Sequence, residues 1–170
     1  MKRLSAADYA ADAVKTAKML LGKWLCRRLP DGGIRKMRIV ETEAYCGEND
    51  TACHAHCGKT DRNAPMYEAG GIAYVYLCYG VHSLLNVVTG RRDCPEAVLI
   101  RGVEGAIGPG RVTKLLQIDR TFNREPLASS ERLWLEDDGA LPPRFKSTPR
   151  IGIAYATKRD QNRKWRYVVE

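Results

Sequence analysis

Two carboxylates and a phenol alternate with small or apolar residues in the run Glu41-Thr42-Glu43-Ala44-Tyr45. In a β-strand, side chains two residues apart point to the same face, so Glu41, Glu43 and Tyr45 would share one face. A carboxylate on such a face can act as a general base that takes a proton from water. A solvated strand face is the simpler explanation of the pattern, and a face that lines a pocket is the other.

Three further side chains with suitable chemistry fall on other predicted strands: Tyr76, Asn86 and Arg101. If their faces converge on that of Glu43 and Tyr45, one pocket combines aromatic walls with a carboxylate, a guanidinium and an amide. Aromatic walls suit a planar heterocycle, because stacking on a base contributes about 1–3 kcal/mol. The chain has neither a G-x-G-x-x-G turn after a strand nor a G-x-x-x-x-G-K-[ST] loop. No motif for hydride transfer or phosphoryl transfer is therefore evident. Hydrolysis at a base or its sugar is the chemistry that remains.

The composition indicates a soluble globular protein. The 170 residues fit one domain, residues 1–170, which is long enough to bury a core without a structural metal ion or disulfide bonds. Hydrophobic residues make up 44% of the chain and charged residues 28%, as is typical of globular proteins. The formal net charge of +8 favours nucleic acid as a partner, through the release of counterions from phosphates. Many basic proteins have no such partner, so charge alone leaves the question open.

The sequence shows no signal for secretion or for a membrane. Asp8 precedes any apolar run, so we expect no signal peptide and a protein that is not secreted. Residues 70–90 carry no charged side chain, but their Tyr, His, Ser and Asn side chains make them too polar for a membrane span. We interpret them as two strands, about 72–78 and 83–89, joined by a tight turn that displays Tyr79.

Six cysteines and the segment Cys53-His54-Ala55-His56-Cys57 raise the question of a metal site. Without a secretory signal, reduced thiols are the default for a domain of this size. Cysteine and histidine are the side chains that bind zinc, but four ligands within five consecutive residues cannot easily surround one tetrahedral ion. The paired Cys-x-x-Cys spacing is absent from the chain. We therefore expect neither a metal nor another cofactor.

Periodicity and turn residues predict the elements that must position these side chains. A helix is predicted over 8–21, with Asp8 as its N-cap and Gly22 as its stop, and a second helix over about 110–118. Further strands are predicted over 23–29, 34–45, 97–104, 133–135, 151–155 and 166–169.

The predicted fold class is α+β, because the strands dominate and the helices lie mostly outside them. We expect a single domain with a mixed, mostly antiparallel, curved β-sheet, flanking helices and a protruding β-hairpin. Residues 46–70 form a long irregular stretch rich in Gly, Asn, Asp and Cys. Loops of this length inside a compact domain are usually functional or disordered.

Several spaced segments of the chain carry a further signal. They are Arg38-Ile39-Val40-Glu41-Thr42-Glu43-Ala44-Tyr45, Asp50-Thr51-Ala52-Cys53-His54, Arg62-Asn63, Tyr74-Val75-Tyr76-Leu77-Cys78-Tyr79-Gly80, Asn86-Val87, Val98-Leu99-Ile100-Arg101, Gly108-Pro109 and Pro149-Arg150-Ile151-Gly152-Ile153. In this order and register they resemble the alkyladenine (3-methyladenine) DNA glycosylase family. The resemblance runs from about Ala17 to the C-terminus without a break.

The resemblance implies a monofunctional enzyme of DNA base excision repair. Such an enzyme flips an alkylated or deaminated purine out of double-stranded DNA, because a base inside the stack is out of reach of its chemistry. It then hydrolyses the N-glycosidic bond with water and leaves an abasic site without cleaving the strand. The lesions implied are 3-methyladenine, 7-methylguanine, ethenoadenine and hypoxanthine. The resemblance also implies a monomer without cofactor, in the bacterial cytoplasm and associated with the nucleoid.

When the roles of the family's residues are transferred to the matching positions of this chain, the resemblance implies that Glu43 is the general base. Spacing alone does not choose between Glu43 and Glu41. Arg101 and the backbone carbonyl of Ile151 would help to hold the attacking water. Tyr79 at the hairpin tip would enter the minor groove and fill the gap left by the flipped nucleotide. Without the resemblance, Tyr79 would be an ordinary turn aromatic.

Five residues would form the base pocket under the same resemblance. Tyr45 and Tyr76 would sandwich the flipped base with His54, whose ring also offers a hydrogen bond toward the purine 6-position. The backbone N–H of Ala52 would meet N7 of the purine. Asn86 would lie beneath the base, where its bulk would disfavour the 2-amino group of guanine.

The DNA backbone contacts and the departures from the family pattern complete this prediction. His56 and Cys57 stand where related proteins have other residues, and His82 flanks the hairpin tip that carries Tyr79. A solvated basic face explains each candidate phosphate contact equally well when it is taken singly. The candidates are Arg91, Arg92, Arg111 and Lys164.

Two other classes of protein fit parts of the pattern. A noncatalytic nucleic-acid-binding module, with or without zinc, would bind DNA and release no base. A zinc-dependent nucleobase deaminase would need H-x-E and P-C-x-x-C elements, which the chain lacks.

Overall fold

Ten β-strands form one antiparallel sheet in the computed structural model, which describes residues 1–170. The main path of the sheet runs β1-β8-β2-β3-β6-β5-β4, with β10 paired to β3 and β9, and β7 paired to β6. Together with three α-helices, this architecture confirms the predicted α+β class. The strands are β1 (Lys2–Arg3), β2 (Trp24–Arg28), β3 (Ile34–Cys46), β4 (Ala73–Cys78), β5 (His82–Thr89), β6 (Glu96–Val103), β7 (Ala106–Ile107), β8 (Leu133–Asp137), β9 (Phe145–Thr148) and β10 (Arg166–Val169).

The first helix begins later than predicted. Its N-cap is Asp12, whose side chain accepts a hydrogen bond from the backbone N–H of Lys15, and not Asp8. Asp8 instead completes a capping box with Ser5 at the start of a short 3₁₀ helix. Both residues carry a suitable cap side chain, so local chemistry alone does not choose between them. The helices are α1 (Ala13–Leu20), α2 (Pro109–Leu116) and α3 (Lys158–Gln161), with 3₁₀ helices at Ala6–Tyr9, His54–Cys57, Ala64–Tyr67 and Arg120–Phe122.

Strand β3 is the longest strand and lies at the centre of the sheet. Its first half pairs with β2, and its second half pairs with both β6 and β10. The register with β6 shifts between Ile39 and Glu41 and shifts back between Glu41 and Thr42, so the pairing is irregular around Glu41. On one face of the second half, Thr42 donates from Oγ1 to the carbonyl of Ala17, at 2.9 Å, and Ala44 is fully buried. The opposite face is therefore free to build a site.

The main core lies between this sheet and helices α1 and α2. It contains 25 buried residues, among them Leu20 of α1, Leu116 of α2 and Ile100 of β6. Burying aliphatic side chains of this size contributes about 1.5–3 kcal/mol each relative to leaving them exposed. This packing holds β3 and β6 against each other and so fixes the side chains that point away from the core.

The segment predicted as a strand over 151–155 forms no strand. The backbone N–H of Ile151 donates to a side chain, the carboxylate of Glu43, and Gly152 has φ +75°. A left-handed residue at this place breaks the extended path that a strand needs. The prediction also missed β1, β7, β9 and α3, all of which have four residues or fewer. None of the helices is both long and apolar enough to cross a membrane.

Candidate active site

One cavity of about 780 Å³ collects the side chains that were predicted to do chemistry. This volume is within the range of small-ligand sites. The cavity lies between the second half of β3, the hairpin β4–β5, strand β6 and the loop after β9. Its lining includes Glu43, Tyr45, Ala52, His54, Tyr76, Tyr79, Asn86, Arg101, Arg111 and Ile151.

Glu43 is completely buried, with an exposed fraction of 0%. The explanation of the pattern as a solvated strand face is therefore wrong. The surroundings of Glu43 are nevertheless polar. The backbone N–H of Ile151 donates to Oε1 at 2.8 Å, and the Tyr45 hydroxyl donates to Oε2 at 2.8 Å. Burial raises the pKa of the Glu43 carboxyl, and the Ile151 N–H and the Arg101 guanidinium oppose that rise in part. A carboxylate with a raised pKa in a cavity has the properties of a general base.

Arg101 bridges the two carboxylates of β3. Its Nε lies 3.1 Å from Oε1 of Glu41 and 3.8 Å from Oε1 of Glu43. Glu41 also pairs with Arg166 of β10 and does not line the cavity. The structure thus separates two acids that spacing alone treated as equivalent, because only the Glu43 carboxylate faces the cavity.

Aromatic rings form one wall of the cavity. The ring centroids of His54 and Tyr76 are 4.5 Å apart, and those of Tyr74 and Tyr76 are 5.3 Å apart. Nδ1 of His54 lies 3.0 Å from the Tyr74 hydroxyl. Burial, with a smaller contribution from Arg62, lowers the pKa of His54 to about 4, so its imidazole is neutral at physiological pH. Tyr74 was not among the predicted pocket residues, although strand periodicity places it on the same face as Tyr76.

Tyr45 is held from outside the cavity by a buried ion pair that the sequence did not predict. The guanidinium of Arg150 lies 4.7 Å from the centre of the Tyr45 ring and 5.1 Å from that of Trp165. Its two terminal nitrogens contact the two Asp50 oxygens at 2.6 and 2.8 Å, and both side chains are fully buried. Arg150 and Asp50 fall within the motifs that carry the family resemblance, which is the one signal that could have identified them.

The predicted hydrogen-bonding groups of the pocket have partners within the protein. The Ala52 N–H, predicted to meet N7 of a purine, donates to Asp50 Oδ1 at 3.1 Å. Nδ2 of Asn86 donates to the carbonyl of Tyr74 at 3.2 Å, and the Asn86 side chain lines the cavity. At Ile151 the atom in contact with Glu43 is the backbone nitrogen, whereas the prediction concerned the carbonyl.

Tyr79 lies at the tip of the hairpin, as the turn residues predicted. Its side chain is 94% exposed, and its backbone has φ +51°. A tyrosine with positive φ is uncommon, and Gly80 after it also has positive φ. The tight turn therefore projects an aromatic ring into solvent at the mouth of the cavity, where apolar exposure has no stabilising effect on the fold.

The four basic residues predicted to contact phosphates occupy different regions. Arg111, in the first turn of α2, lines the cavity together with Lys114 and Arg62. Arg91 and Arg92 follow the other end of β5, and an eight-residue strand extends over about 25 Å. They are therefore remote from the hairpin tip, and Lys164 does not line the cavity either.

The Cys-His segment forms a 3₁₀ helix whose side chains have separate partners. His54 contacts Tyr74, whereas Nδ1 of His56 contacts the carbonyl of Glu48 at 2.8 Å. Cys53 is buried and Cys57 is exposed. No group of three or more His, Cys, Asp or Glu side chains is arranged to hold a metal ion.

Comparison with known proteins gives a consistent result. A family model described as methylpurine-DNA glycosylase matches residues 7–107 and 104–170. A relative from Psychrobacter cryohalolentis is 45% identical over 177 residues, covering 87% of this chain and 83% of the relative. Relatives from Borreliella burgdorferi and Methanocella arvoryzae are 42% and 41% identical, covering 95% and 94% of this chain and 93% and 88% of their own lengths. All three carry the name "Putative 3-methyladenine DNA glycosylase".

Proposed function

Because this chain belongs to the methylpurine-DNA glycosylase family, we propose that it excises damaged purines from duplex DNA by base flipping and hydrolysis. Family membership makes it a DNA glycosylase, a hydrolase with DNA as its substrate. The proposed lesions are 3-methyladenine, 7-methylguanine, ethenoadenine and hypoxanthine. We further propose that it acts as a monomer in the bacterial cytoplasm.

The observation that carries this proposal is the position of the buried Glu43 carboxylate in the lining of an aromatic cavity. Departure of a base leaves positive charge on the sugar, in an oxocarbenium-like state. The Glu43 carboxylate can stabilise that charge and take the proton of an attacking water. Arg101 and the backbone of Ile151 lie next to it and are suited to orient that water.

The Glu43 carboxylate is closed off from solvent in the free protein. An ionised carboxylate offers about four lone-pair sites. Two of them are taken by the Ile151 N–H and the Tyr45 hydroxyl, so acceptor capacity remains for a water molecule. We propose that the water enters together with the flipped nucleotide, when the cavity side of Glu43 opens.

The rings around the cavity suit a flipped purine. Tyr45 lies beside Glu43, and the pair of His54 and Tyr76 forms the aromatic wall. Because His54 is neutral, it adds no positive charge that would repel a cationic 3-methyl or 7-methyl purine. Neutral hypoxanthine and ethenoadenine are poorer leaving groups and would benefit from a donor at N7. Donation from Ala52 to N7 requires that its N–H be shared with Asp50 or released by it.

Water activated by Glu43 requires no covalent amine intermediate, so we propose that strand cleavage does not accompany base release. Arg111, Lys114 and Arg62 line the cavity and are the basic residues best placed to meet the phosphates beside a flipped nucleotide. Charge-assisted contacts of this kind position the DNA and carry no sequence information.

The test of the proposed function is base release from defined substrates. Duplexes with one ethenoadenine, hypoxanthine or 7-methylguanine are incubated with the protein, and free base and abasic sites are measured with and without alkali. We expect free base in each reaction and strand breaks after alkali only. Binding without base release would contradict the proposal and favour a noncatalytic DNA-binding module.

We expect Tyr79→Ser to slow base release from duplex DNA about tenfold or more. Unstacking a base pair step costs a few kcal/mol, and a serine cannot fill the gap. Since the Tyr79 side chain is 94% exposed, the melting temperature should not change. The measurement is the single-turnover rate on duplex and on single-stranded substrate. Val81→Ser at the same hairpin tip is the matched control. An equal fall in rate on single-stranded substrate would contradict the role of Tyr79 in filling the gap left by the flipped nucleotide.

We expect Asn86→Ser to relax discrimination against guanine lesions. The smaller side chain removes bulk beneath the base and frees space for a 2-amino group. A contact of this size changes discrimination about tenfold. The measurement is the ratio of 7-methylguanine to ethenoadenine release, with Thr89→Ser on the same strand as control because Thr89 is buried outside the cavity lining. An unchanged ratio would remove Asn86 from this role.

A further inference from the structure

We propose that Glu41 is a positioning residue. Its buried carboxylate anchors the Arg101 guanidinium beside Glu43 and prevents Arg101 from forming a close ion pair with Glu43, the general base. This inference rests on the proposed function, because it concerns the strength of Glu43 as a general base. It assigns a role to the second acid of β3, which lies outside the cavity.

The distances show which carboxylate holds Arg101. Nε of Arg101 is 3.1 Å from Glu41 and 3.8 Å from Glu43, so the closer contact is to the residue that does not line the cavity. Nε of Arg166 contacts the same Glu41 oxygen, Oε1, as Arg101 does. The Arg166 side chain is itself held by a hydrogen bond from its Nη1 to Thr148 Oγ1, at 3.0 Å. The Glu41 carboxylate therefore has little freedom to follow Arg101.

The backbone around Glu41 makes room for this arrangement. Glu41 pairs with Gly102 of β6, and the register shifts on both sides of that pair. A Cβ atom at Gly102 would lie 2.9 Å from Cβ of Glu41, closer than packed atoms allow, and within a tight 3.2 Å of its Oε2. A glycine opposite Glu41 is therefore required for the Glu41 side chain to lie where it meets Arg101.

The anchor matters because a close guanidinium weakens a carboxylate as a base. A full arginine–carboxylate pair occupies the acceptor sites that a water needs. It also lowers the pKa of the carboxyl by about 1–3 units. The other groups that face Glu43 are the Tyr45 hydroxyl, the Ile151 N–H and the more distant Arg150 guanidinium. Arg166 of β10 pairs with Glu43 in the sheet, but its guanidinium is directed to Glu41.

Replacing Glu41 by glutamine tests the anchor directly. Glutamine keeps the volume but loses the charge, so Arg101 is expected to move onto Glu43. We expect the acid limb of the pH profile of the single-turnover rate to move to lower pH by about one unit. The rate on the plateau of the pH profile should fall about tenfold, because the Glu43 carboxylate is then a weaker base and its acceptor sites are occupied by Arg101.

Two further variants separate the anchor from a merely structural role. Glu136→Gln on β8 breaks the ion pair with Lys36 in the same sheet, far from the cavity, and should leave the acid limb in place. The double variant Glu41→Gln with Arg166→Gln removes one charge of each sign and should shift the limb as the single variant does. The double variant decides the question if the single variant does not fold.

The outcomes distinguish this inference from the proposed function. If the wild-type protein releases no base, the proposed function fails. If the wild type is active and the acid limb of the folded Glu41 variants stays at the wild-type pH, the anchor is overturned and the proposed function stands. A uniform loss of rate without a shift of the limb would also overturn it.

Discussion

Replacing Glu43 with glutamine is expected to lower the rate of base release by about 10²–10⁴-fold, the usual effect of removing a general base. Glutamine has the shape of glutamate, so its oxygen can still accept from the Ile151 N–H, and its amide can donate to the Tyr45 hydroxyl. DNA binding should therefore persist. The measurement is the single-turnover rate on an ethenoadenine duplex together with the dissociation constant for the same duplex.

The same variant is expected to be more stable than the wild type at neutral pH. Burial raises the pKa of Glu43 in the folded protein above its value in the unfolded chain. The wild type therefore loses stability as the pH rises through the folded-state pKa, because the fold then holds a buried charge. Glutamine never ionises and avoids this loss. The difference in melting temperature should be present at pH 8 and vanish as the solution is acidified.

A control and the pH profile complete this prediction. Glu104→Gln replaces an exposed acid next to the end of β6 and should change neither rate nor stability. The wild-type rate should rise with pH as Glu43 loses its proton, and His54, with its pKa of about 4, should add no limb between pH 5 and 8. Base release by the glutamine variant at the wild-type rate would remove Glu43 from its role.

Replacing Asp50 with asparagine is expected to destabilise the fold by about 3–5 kcal/mol, because it leaves the Arg150 guanidinium buried without its counter-charge. Both side chains are fully buried and make two close contacts. For a protein of this length the melting temperature should fall by roughly 10 °C. The measurement is thermal and urea unfolding. Base release should also slow, because Arg150 supports Tyr45 and Asp50 holds Ala52.

The exposed pair of Lys146 and Glu170 is the matched control for this prediction. Glu170→Gln removes the same kind of charge, but solvent-exposed pairs contribute only about 0–1 kcal/mol. Its melting temperature should stay close to that of the wild type. If the Asp50→Asn protein has the same melting temperature as the Glu170→Gln protein, the buried pair does not stabilise the fold.

Local sequence features determined the elements that carry the site. Alternation of side chains predicted the strands at β2, β3 and β6, and turn residues predicted the hairpin and the exposed position of Tyr79. These features depend on neighbours within a few residues, which is the range over which periodicity and turn chemistry act. The spaced motifs indicated the family, and the family model matches the chain.

The tertiary structure alone decided which of these elements meet. Residues 151–155 look like a strand in isolation, but the Ile151 N–H forms its hydrogen bond with Glu43, 108 residues away. Glu41 and Glu43 are equivalent by spacing but have different partners. Glu41 pairs with Arg101 and Arg166, whereas Glu43 accepts from the Ile151 N–H and the Tyr45 hydroxyl. The chain therefore determined by itself which side chains share a strand face. Which face lines a cavity depends on contacts between distant segments. A local sequence pattern does not predict those contacts.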